Sequence, residues 1–229
     1  MGLVQTSGKK TTSTGGASVV FHAPAPFTVG NWVVVAWETN PYKDSITGGG
    51  GVATNEFIGV PFGSQIYGIS WFQVTNASTD DVTFNFTPTS GNTVTCSFEE
   101  WDNFQGATPL DTSVEASGTS VSSGTLAQAN EVVYAIAVPN GTGGTLPTGP
   151  SSGFTQTWAE NTSGIPNGAA GYKSVSSTAS VTATFTNVGD CIIVTFKSTG
   201  GGGGGTFLAE AEWHPLEQQT NPLTVSVWG

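Results

Sequence analysis

Short apolar runs, each bounded by turn-forming residues, constrain the fold of this chain more than any other feature. Val82, Phe84 and Phe86 alternate with polar residues, which is the two-residue period of a strand with one buried face. The run NWVVVAWE at 31–38 is apolar at almost every position, which is typical of a central strand covered on both faces. About ten such runs lie between residues 17 and 197, and none has the period of a helix.

The residues between these runs support the same fold class. The chain has 32 Gly and many Ser, Thr and Asn, and only 9% of its residues are charged. These residues favour tight turns and disfavour helices. We therefore expect an all-β protein with a jelly-roll-like, two-sheet antiparallel β-sandwich, rather than a repeat array.

Composition divides the chain into four segments. Residues 1–15 are polar and predict a flexible N-terminal arm, and 16–198 hold the sandwich. Within the sandwich, 48–51 are predicted to be a glycine-rich loop and 105–125 a long polar link between strands. Residues 199–205 include six consecutive glycines and predict a flexible linker, which 206–229 follow as a C-terminal arm.

The C-terminal arm has more apolar surface than so short a segment can bury alone. Leu223, Val225 and Val227 alternate with Thr224 and Ser226, as they would in a strand. The glycine linker favours docking on a neighbouring copy or a different protein over docking on the chain's own sandwich. The predicted docking residues are Phe207, Leu208, Trp213, Leu216, Leu223, Val225, Val227 and Trp228.

Charge and hydropathy exclude two classes of partner. The chain has five Lys, no Arg and 16 acids, for a net charge of −11, whereas nucleic-acid binding requires cations that neutralise phosphates. No stretch approaches the roughly 20 apolar residues that span a bilayer. The N-terminus lacks the basic and apolar regions of a signal peptide, so we expect synthesis in the host cytoplasm and no membrane partner.

No catalytic set stands out in the sequence. His22 and His214 both lie close to prolines, and nothing places a carboxylate beside either ring. Glu99 and Glu100 are adjacent in a strand, so they point to opposite faces and cannot flank one glycosidic bond. We therefore expect a protein that is not an enzyme and has no cofactor.

Candidate ligands for metals or phosphates are equally sparse. Asp80 and Asp81 follow Asn76 closely, yet the spacing does not match a calcium loop. The glycines at 48–51 lack the Lys-Ser/Thr that a phosphate loop requires. Cys96 and Cys191 each lie in an apolar run, where they are either buried free thiols or a disulfide between neighbouring strands. No metal site is predicted.

Tryptophan is frequent for a chain of this size, with seven residues. Trp32, Trp37, Trp71 and Trp101 fall in strand-like runs, where core packing is expected. Trp158 lies near a loop rich in Gly and Asn, and Trp213 and Trp228 lie in the C-terminal arm. Exposed Trp and Tyr beside Asn and Asp stack on sugars, so this set raises carbohydrate binding as an alternative function.

Four stretches together carry a family resemblance: GNWVVVAWE at 30–38, CSFEEWDNFQGATPLDTS at 96–113, SVSSGTLAQANEVVYAIAV at 120–138, and AAGYKSVSSTASVTATFTNVGDCIIVTFK at 169–197. Their order resembles the jelly-roll domain of phage structural proteins, which serve as capsid decoration proteins or as head or tail fibres. The resemblance implies a fold and a setting on the virion surface, and it brings no catalytic residues with it.

The resemblance, together with the two arms, leads to one functional expectation. The chain is expected to be a non-enzymatic virion protein, a capsid decoration (cement) protein or a head or tail fibre component. It would be displayed on the particle surface and attached through its arms to other virion proteins or to further copies of itself, as a homo-oligomer. The alternative is a carbohydrate-binding module that attaches the particle to host surface glycans.

Overall fold

The computed structural model describes residues 2–14, 16–53, 55–59, 66–76, 80–87, 91–102, 104–139, 145–151, 153–162 and 167–199. These residues form strands and turns without a helix, so none of them forms a helix able to cross a membrane. The strands are β1 Leu3–Thr6, β2 Lys10–Thr14, β3 Ser18–His22, β4 Trp32–Asn40, β5 Ser45–Gly48, β6 Gly51–Val52, β7 Asn55–Ile58, β8 Ile66–Gln73, β9 Asp81–Asn85, β10 Asn92–Trp101, β11 Leu110–Ser117, β12 Ser120–Ser122, β13 Glu131–Val138, β14 Thr155–Glu160, β15 Gly168–Val175, β16 Thr182–Thr184 and β17 Asp190–Lys197.

The strands form two large and two small sheets, and every pairing is antiparallel. The first large sheet has the order β1-β10-β4-β8-β7, with β2 also paired to β10, and the second has the order β11-β17-β13-β15-β14. The first small sheet is β3-β9-β5-β6, and the second is β12-β16. The predicted all-β antiparallel sandwich is therefore confirmed.

Each large sheet is covered on one face by the other large sheet and on the opposite face by a small sheet, so the sheets stack in four layers. Between the two large sheets lies a central cluster of Trp32, Val34, Ala36, Tyr67, Ile69, Trp71, Trp101, Phe104, Val132, Tyr134, Ile136, Val138, Trp158, Ala170, Ile192, Val194 and Phe196. A second cluster joins the first large sheet to the first small sheet, through residues such as Trp37 and Phe84. A third joins the second large and small sheets, through residues such as Ile193 and Ala183.

The chain contains the same arrangement of strands twice, which the sequence analysis did not anticipate. In the first half, β10-β4-β8-β7 forms the large sheet and β3 pairs with β9; in the second, β17-β13-β15-β14 forms the large sheet and β12 pairs with β16. The strands have the same sequential order in both halves. The region 16–198 is thus two equivalent halves that face each other across the central cluster.

The register of the strands extends this equivalence to single residues. Trp37 on β4 pairs with Cys96 on β10, and Ala137 on β13 pairs with Cys191 on β17. The two cysteines therefore occupy equivalent positions in the two halves. Both are buried free thiols in separate clusters, so the alternative of a disulfide between them is not realised.

The N-terminal segment differs from its prediction as a flexible arm. Residues 3–6 and 10–14 form β1 and β2, which pair in succession along the edge of β10. Gly8 lies between them with a φ of 61°, a conformation that glycine adopts readily. The prediction relied on the lack of apolar side chains, whereas backbone hydrogen bonds to an open strand edge hold this segment.

Two further segments, expected to be a polar link and a glycine-rich loop, contain strands. The polar link 105–125 includes β11, at the edge of the second large sheet, and β12. The glycines at 48–51 join β5 and β6 into a hairpin, with Gly49 and Gly50 at positive φ. Polar strands at an edge have little apolar alternation, and the two-residue period therefore does not reveal them.

Candidate functional site

The predicted docking residues of the C-terminal arm all belong to a part of the chain outside the described residues. This applies to Phe207, Leu208, Trp213, Leu216, Leu223, Val225, Val227 and Trp228, and also to His214 and the consecutive glycines. Their role stays a prediction.

The tryptophans of the described residues are core residues. Trp32, Trp37, Trp71 and Trp101 are buried, as expected from their strands, and Trp158 is also buried, at 2% exposure, although it was predicted to lie near a loop. Trp101 stacks on Phe104, and Trp71 contacts the ring of Phe196 edge-on. The described part of the chain therefore presents no exposed Trp on which a sugar would stack.

The acid pair Glu99 and Glu100 faces opposite sides of β10, as the strand period requires. Glu100 lies on the side of the first small sheet, where it accepts hydrogen bonds from the backbone N–H of Thr28 and the side-chain amides of Asn31 and Gln5. Glu99 faces the second large sheet. The two carboxylates do not share a cleft, which agrees with the expectation that they cannot act on one bond.

Glu99 belongs to a polar network inside the central cluster. The indole of Trp101 donates a 2.6 Å hydrogen bond to the hydroxyl of Tyr134, and Thr6 donates to Glu99 at 3.2 Å. Burial raises the pKa of Glu99 to about 7, although hydrogen bonds from Tyr134, Ser97 and Thr6 lower it in part. Glu99, Trp101 and Tyr134 are buried, whereas Thr6 is exposed at the edge of the sheet. The network joins the two halves.

A second buried acid, Glu38 on β4, lies in the same layer, close to Gly168 of β15. Neither of its carboxylate oxygens accepts a well-formed hydrogen bond from the described residues. Burial raises its pKa well above the ordinary value, and the nearby backbone N–H of Asn167 opposes this rise only in part. Burial of this kind favours the neutral form of a carboxyl over the ionised form.

One group of metal-ligating side chains lies at the surface, where β3 ends beside the start of β9. His22 pairs directly with Asp81 in the register of these strands, and the backbone N–H of Ala23 donates to the carbonyl of Asp80. His22 Nδ1 lies 2.8 Å from Asp81 Oδ1 and 3.3 Å from Asp80 Oδ1. The hydrogen bond to His22 is the main cause that lowers the pKa of Asp80.

An open groove of about 250 Å³ adjoins this group. It is lined by Thr47, Gly48, Gly49, Gly50, Gly51, Asp81 and Thr83. Asp81 is thus shared between the groove and the surface cluster of His22, Asp80 and Asp81. The glycines leave the wall of the groove without side chains, because β5 and β6 turn there.

Comparison with known proteins finds no matching family model, no matching curated protein and no matching solved structure. A functional conclusion for this chain therefore depends on its own residues and on the arrangement of its sheets.

Sequence reasoning missed the surface cluster because His22 and Asp80 are 58 residues apart. The sequence placed no carboxylate beside His22, and the spacing of Asp80 and Asp81 did not match a calcium loop. One signal was present: β3 ends at His22 and β9 begins at Asp81, so antiparallel pairing of the two strands would have placed these residues opposite each other. The residues around His22 do not indicate which strand pairs with β3, because strand pairing depends on the whole sheet.

Proposed function

We propose that this chain is a non-enzymatic structural protein of a phage virion, displayed on the particle surface as a capsid decoration (cement) protein or as a head or tail fibre component. The four-layer body would be the displayed part, and the C-terminal arm would attach it to other virion proteins or to further copies of itself. The resemblance of residues 17–197 to phage jelly-roll domains and the chain's net charge of −11 support a position away from packaged DNA.

The observation that carries the proposal is that the described residues enclose three apolar clusters between paired sheets. All three clusters are filled by residues between Val19 and Phe196, and each is closed by a sheet on either side. The large hydrophobic residues that the described chain exposes are scattered: Leu3, Val4, Val20, Val29, Tyr42 and Leu146. We therefore assign the apolar residues of the arm to an interaction site outside the body, since contiguous apolar surface of this kind marks such sites.

Attachment through an arm also fits the sequence of the arm itself. The alternation of Leu223, Val225 and Val227 is that of a strand with one apolar face. A strand of this kind binds by adding itself to an exposed sheet edge of a partner, with backbone hydrogen bonds for affinity and alternate side chains for specificity. The glycine linker lets the arm reach a partner without moving the body.

Co-sedimentation with virions of the phage that encodes the chain tests this proposal. The full chain and a chain ending at Thr199 are each mixed with particles that lack the protein, and bound protein is measured by gel densitometry. We expect the full chain to bind at a fixed number of copies per particle and the truncated chain to remain in the supernatant. The truncated chain is expected to unfold in urea at the same midpoint as the full chain, because residues between Val19 and Phe196 form the three apolar clusters of the body.

A matched pair of arm variants separates strand addition from a general effect of the arm. Replacing Leu223, Val225 and Val227 by Ser is expected to abolish binding, whereas T224S together with S226T is expected to leave it unchanged. Equal binding of the truncated and full chains would overturn the proposal. Binding of the full chain to a host-glycan array but not to particles would instead favour the carbohydrate-binding alternative.

A further inference from the structure

We propose that His22, Asp80 and Asp81 form a binding site for a divalent transition-metal ion, of which Zn²⁺ is the representative. One ring nitrogen and one carboxylate oxygen from each Asp lie within 4.8 Å of one another. His22 Nδ1 lies 2.8 and 3.3 Å from the two Asp oxygens. Tetrahedral ligands bound at about 2.0–2.2 Å around zinc lie about 3.3–3.6 Å from each other, so a small outward movement of the exposed His22 ring would admit the ion in place of the hydrogen bond.

The type of ligand selects the class of metal. An imidazole nitrogen suits zinc and the metals close to it, whereas Ca²⁺ takes six to eight oxygen ligands and no nitrogen. A calcium site at Asp80 and Asp81 was set aside on sequence spacing alone. The structure adds the ring of His22 to these carboxylates and so replaces an oxygen-only set with a mixed one.

The fold itself does not require this cluster, as the second half of the chain demonstrates. Val82 and Val181 begin the corresponding runs VTFNF and VTATF of the two halves. Ser180 precedes Val181 as Asp81 precedes Val82, so Ser180 is the counterpart of Asp81. Extending the register of β12 and β16 places Gly124 opposite Ser180, as His22 lies opposite Asp81. There the hydroxyl of Ser122, at the end of β12, and that of Ser180, two residues before β16, are joined by a hydrogen bond of 2.6 Å. Uncharged residues are thus enough to end this strand pair.

The cluster is also open on the side that further ligands would need. The side chains of His22, Asp80 and Asp81 are exposed by 65, 38 and 44%. Asp81 borders the glycine-lined groove, where no side chain of Gly48–Gly51 blocks the approach. The remaining coordination positions are therefore open to water, or to an oxygen ligand that enters through the groove. Zinc binding here is independent of the proposed virion role.

Two measurements on the full chain test the site. Isothermal titration calorimetry with ZnCl₂ in a non-chelating buffer at neutral pH is expected to show one site per chain, and CaCl₂ and MgCl₂ are expected to give no binding heat. The chain has only two histidines, so ¹H–¹⁵N spectra of the imidazole rings resolve each one. Addition of Zn²⁺ is expected to shift the signals of His22 and to leave those of His214 in place.

Variants assign the binding to the three side chains. H22Q and the double variant D80N/D81N are each expected to weaken Zn²⁺ binding by about tenfold or more, since even groups that only orient a ligand contribute about that much. H214Q is the matched control and is expected to bind as the parent does. Thermal unfolding without metal checks that each variant is folded. The proposal is wrong if the imidazole signals of His22 do not respond to Zn²⁺, if H22Q binds as the parent does, or if Ca²⁺ binds as tightly as Zn²⁺.

Discussion

Trp101 and Tyr134 connect the two halves of the molecule through a 2.6 Å hydrogen bond from the indole Nε1 to the phenol oxygen. Trp101 ends β10 of the first large sheet, and Tyr134 lies in β13 of the second. The two rings also meet edge-on, with centroids 6.4 Å apart. Together with the hydrogen bonds from Ser97 to Thr157 and from Tyr67 to Glu115, this pair adds directional contacts to an interface that is mainly apolar. Apolar packing by itself has little directional preference.

Removal of the Tyr134 hydroxyl is expected to destabilise the protein without altering its fold. In Y134F, the buried indole of Trp101 loses its acceptor. An unsatisfied buried polar group costs about 1–3 kcal/mol. Urea unfolding is the measurement, and Y42F is the control because Tyr42 is exposed. Equal midpoints for Y134F and Y42F would show that the hydrogen bond has no net effect on stability.

Stability is expected to fall as the pH rises from about 4.5 to about 7, because of Glu99. Burial raises the pKa of this carboxyl from 4.5 to about 7 in the folded chain. Within this window the folded state holds a proton that the unfolded state releases, so increasing pH favours unfolding. The contribution of Glu99 is present in full below the unfolded pKa and is lost above the folded pKa. Its size is about 3 kcal/mol, from about 1.4 kcal/mol for each pH unit.

The variant E99Q separates this contribution from those of other groups. Glutamine keeps an acceptor for Thr6 but does not titrate. The free energy of unfolding, measured by urea at pH 5 and pH 8, is expected to differ less between the two pH values in E99Q than in the parent. An identical difference in both proteins would mean that Glu99 has an ordinary pKa in the folded state.

The close approach of the halves at Gly168 is expected to make this position intolerant of a side chain. A Cβ there would lie 2.7 Å from the carbonyl oxygen of Ala137 and 2.9 Å from Oε2 of Glu38. Overpacking of this kind costs about 1–3 kcal/mol, so G168A is expected to unfold at lower urea. G51A is the control, since a Cβ at Gly51 would meet nothing within 4 Å. A G168A midpoint equal to that of G51A would contradict the packing described here.

The two thiols are expected to be inert in the folded protein. Cys96 and Cys191 are buried and unpaired, and burial raises the pKa of Cys191 to about 11 and that of Cys96 well above its usual value. Since only the thiolate reacts, Ellman's reagent is expected to label neither residue in the native state. In urea it is expected to label both. Rapid labelling of the native protein would show that one of the large sheets opens locally.

Local sequence patterns predicted the central strands well. The run at 31–38 is buried on both faces in β4, and Val82 and Phe84 are the buried residues of β9. The apolar side chains of such a strand mark it in the sequence, so each of these strands can be predicted from its own residues alone. β1, β2 and β11 escaped prediction because they have few apolar residues and lie beside strands that supply their hydrogen bonds.

The doubled arrangement escaped prediction for a related reason. The matching runs VTFNF and VTATF were visible, yet most equivalent positions differ in residue type, as Trp37 and Ala137 do. Equivalence of this kind is a property of strand order and register. Both depend on pairings between distant residues, which local periodicity does not encode.

The sequence by itself determined that this chain is all-β, that its strands are short, and that the arm 206–229 has apolar surface in excess of what it can bury. Those properties follow from the period of apolar residues and from the backbone preferences of Gly, Ser, Thr and Asn. Only the tertiary structure decided that the strands form two equivalent halves, and that His22 meets Asp80 and Asp81. Sheet pairing brings together residues far apart in the chain, and its outcome depends on every strand at once.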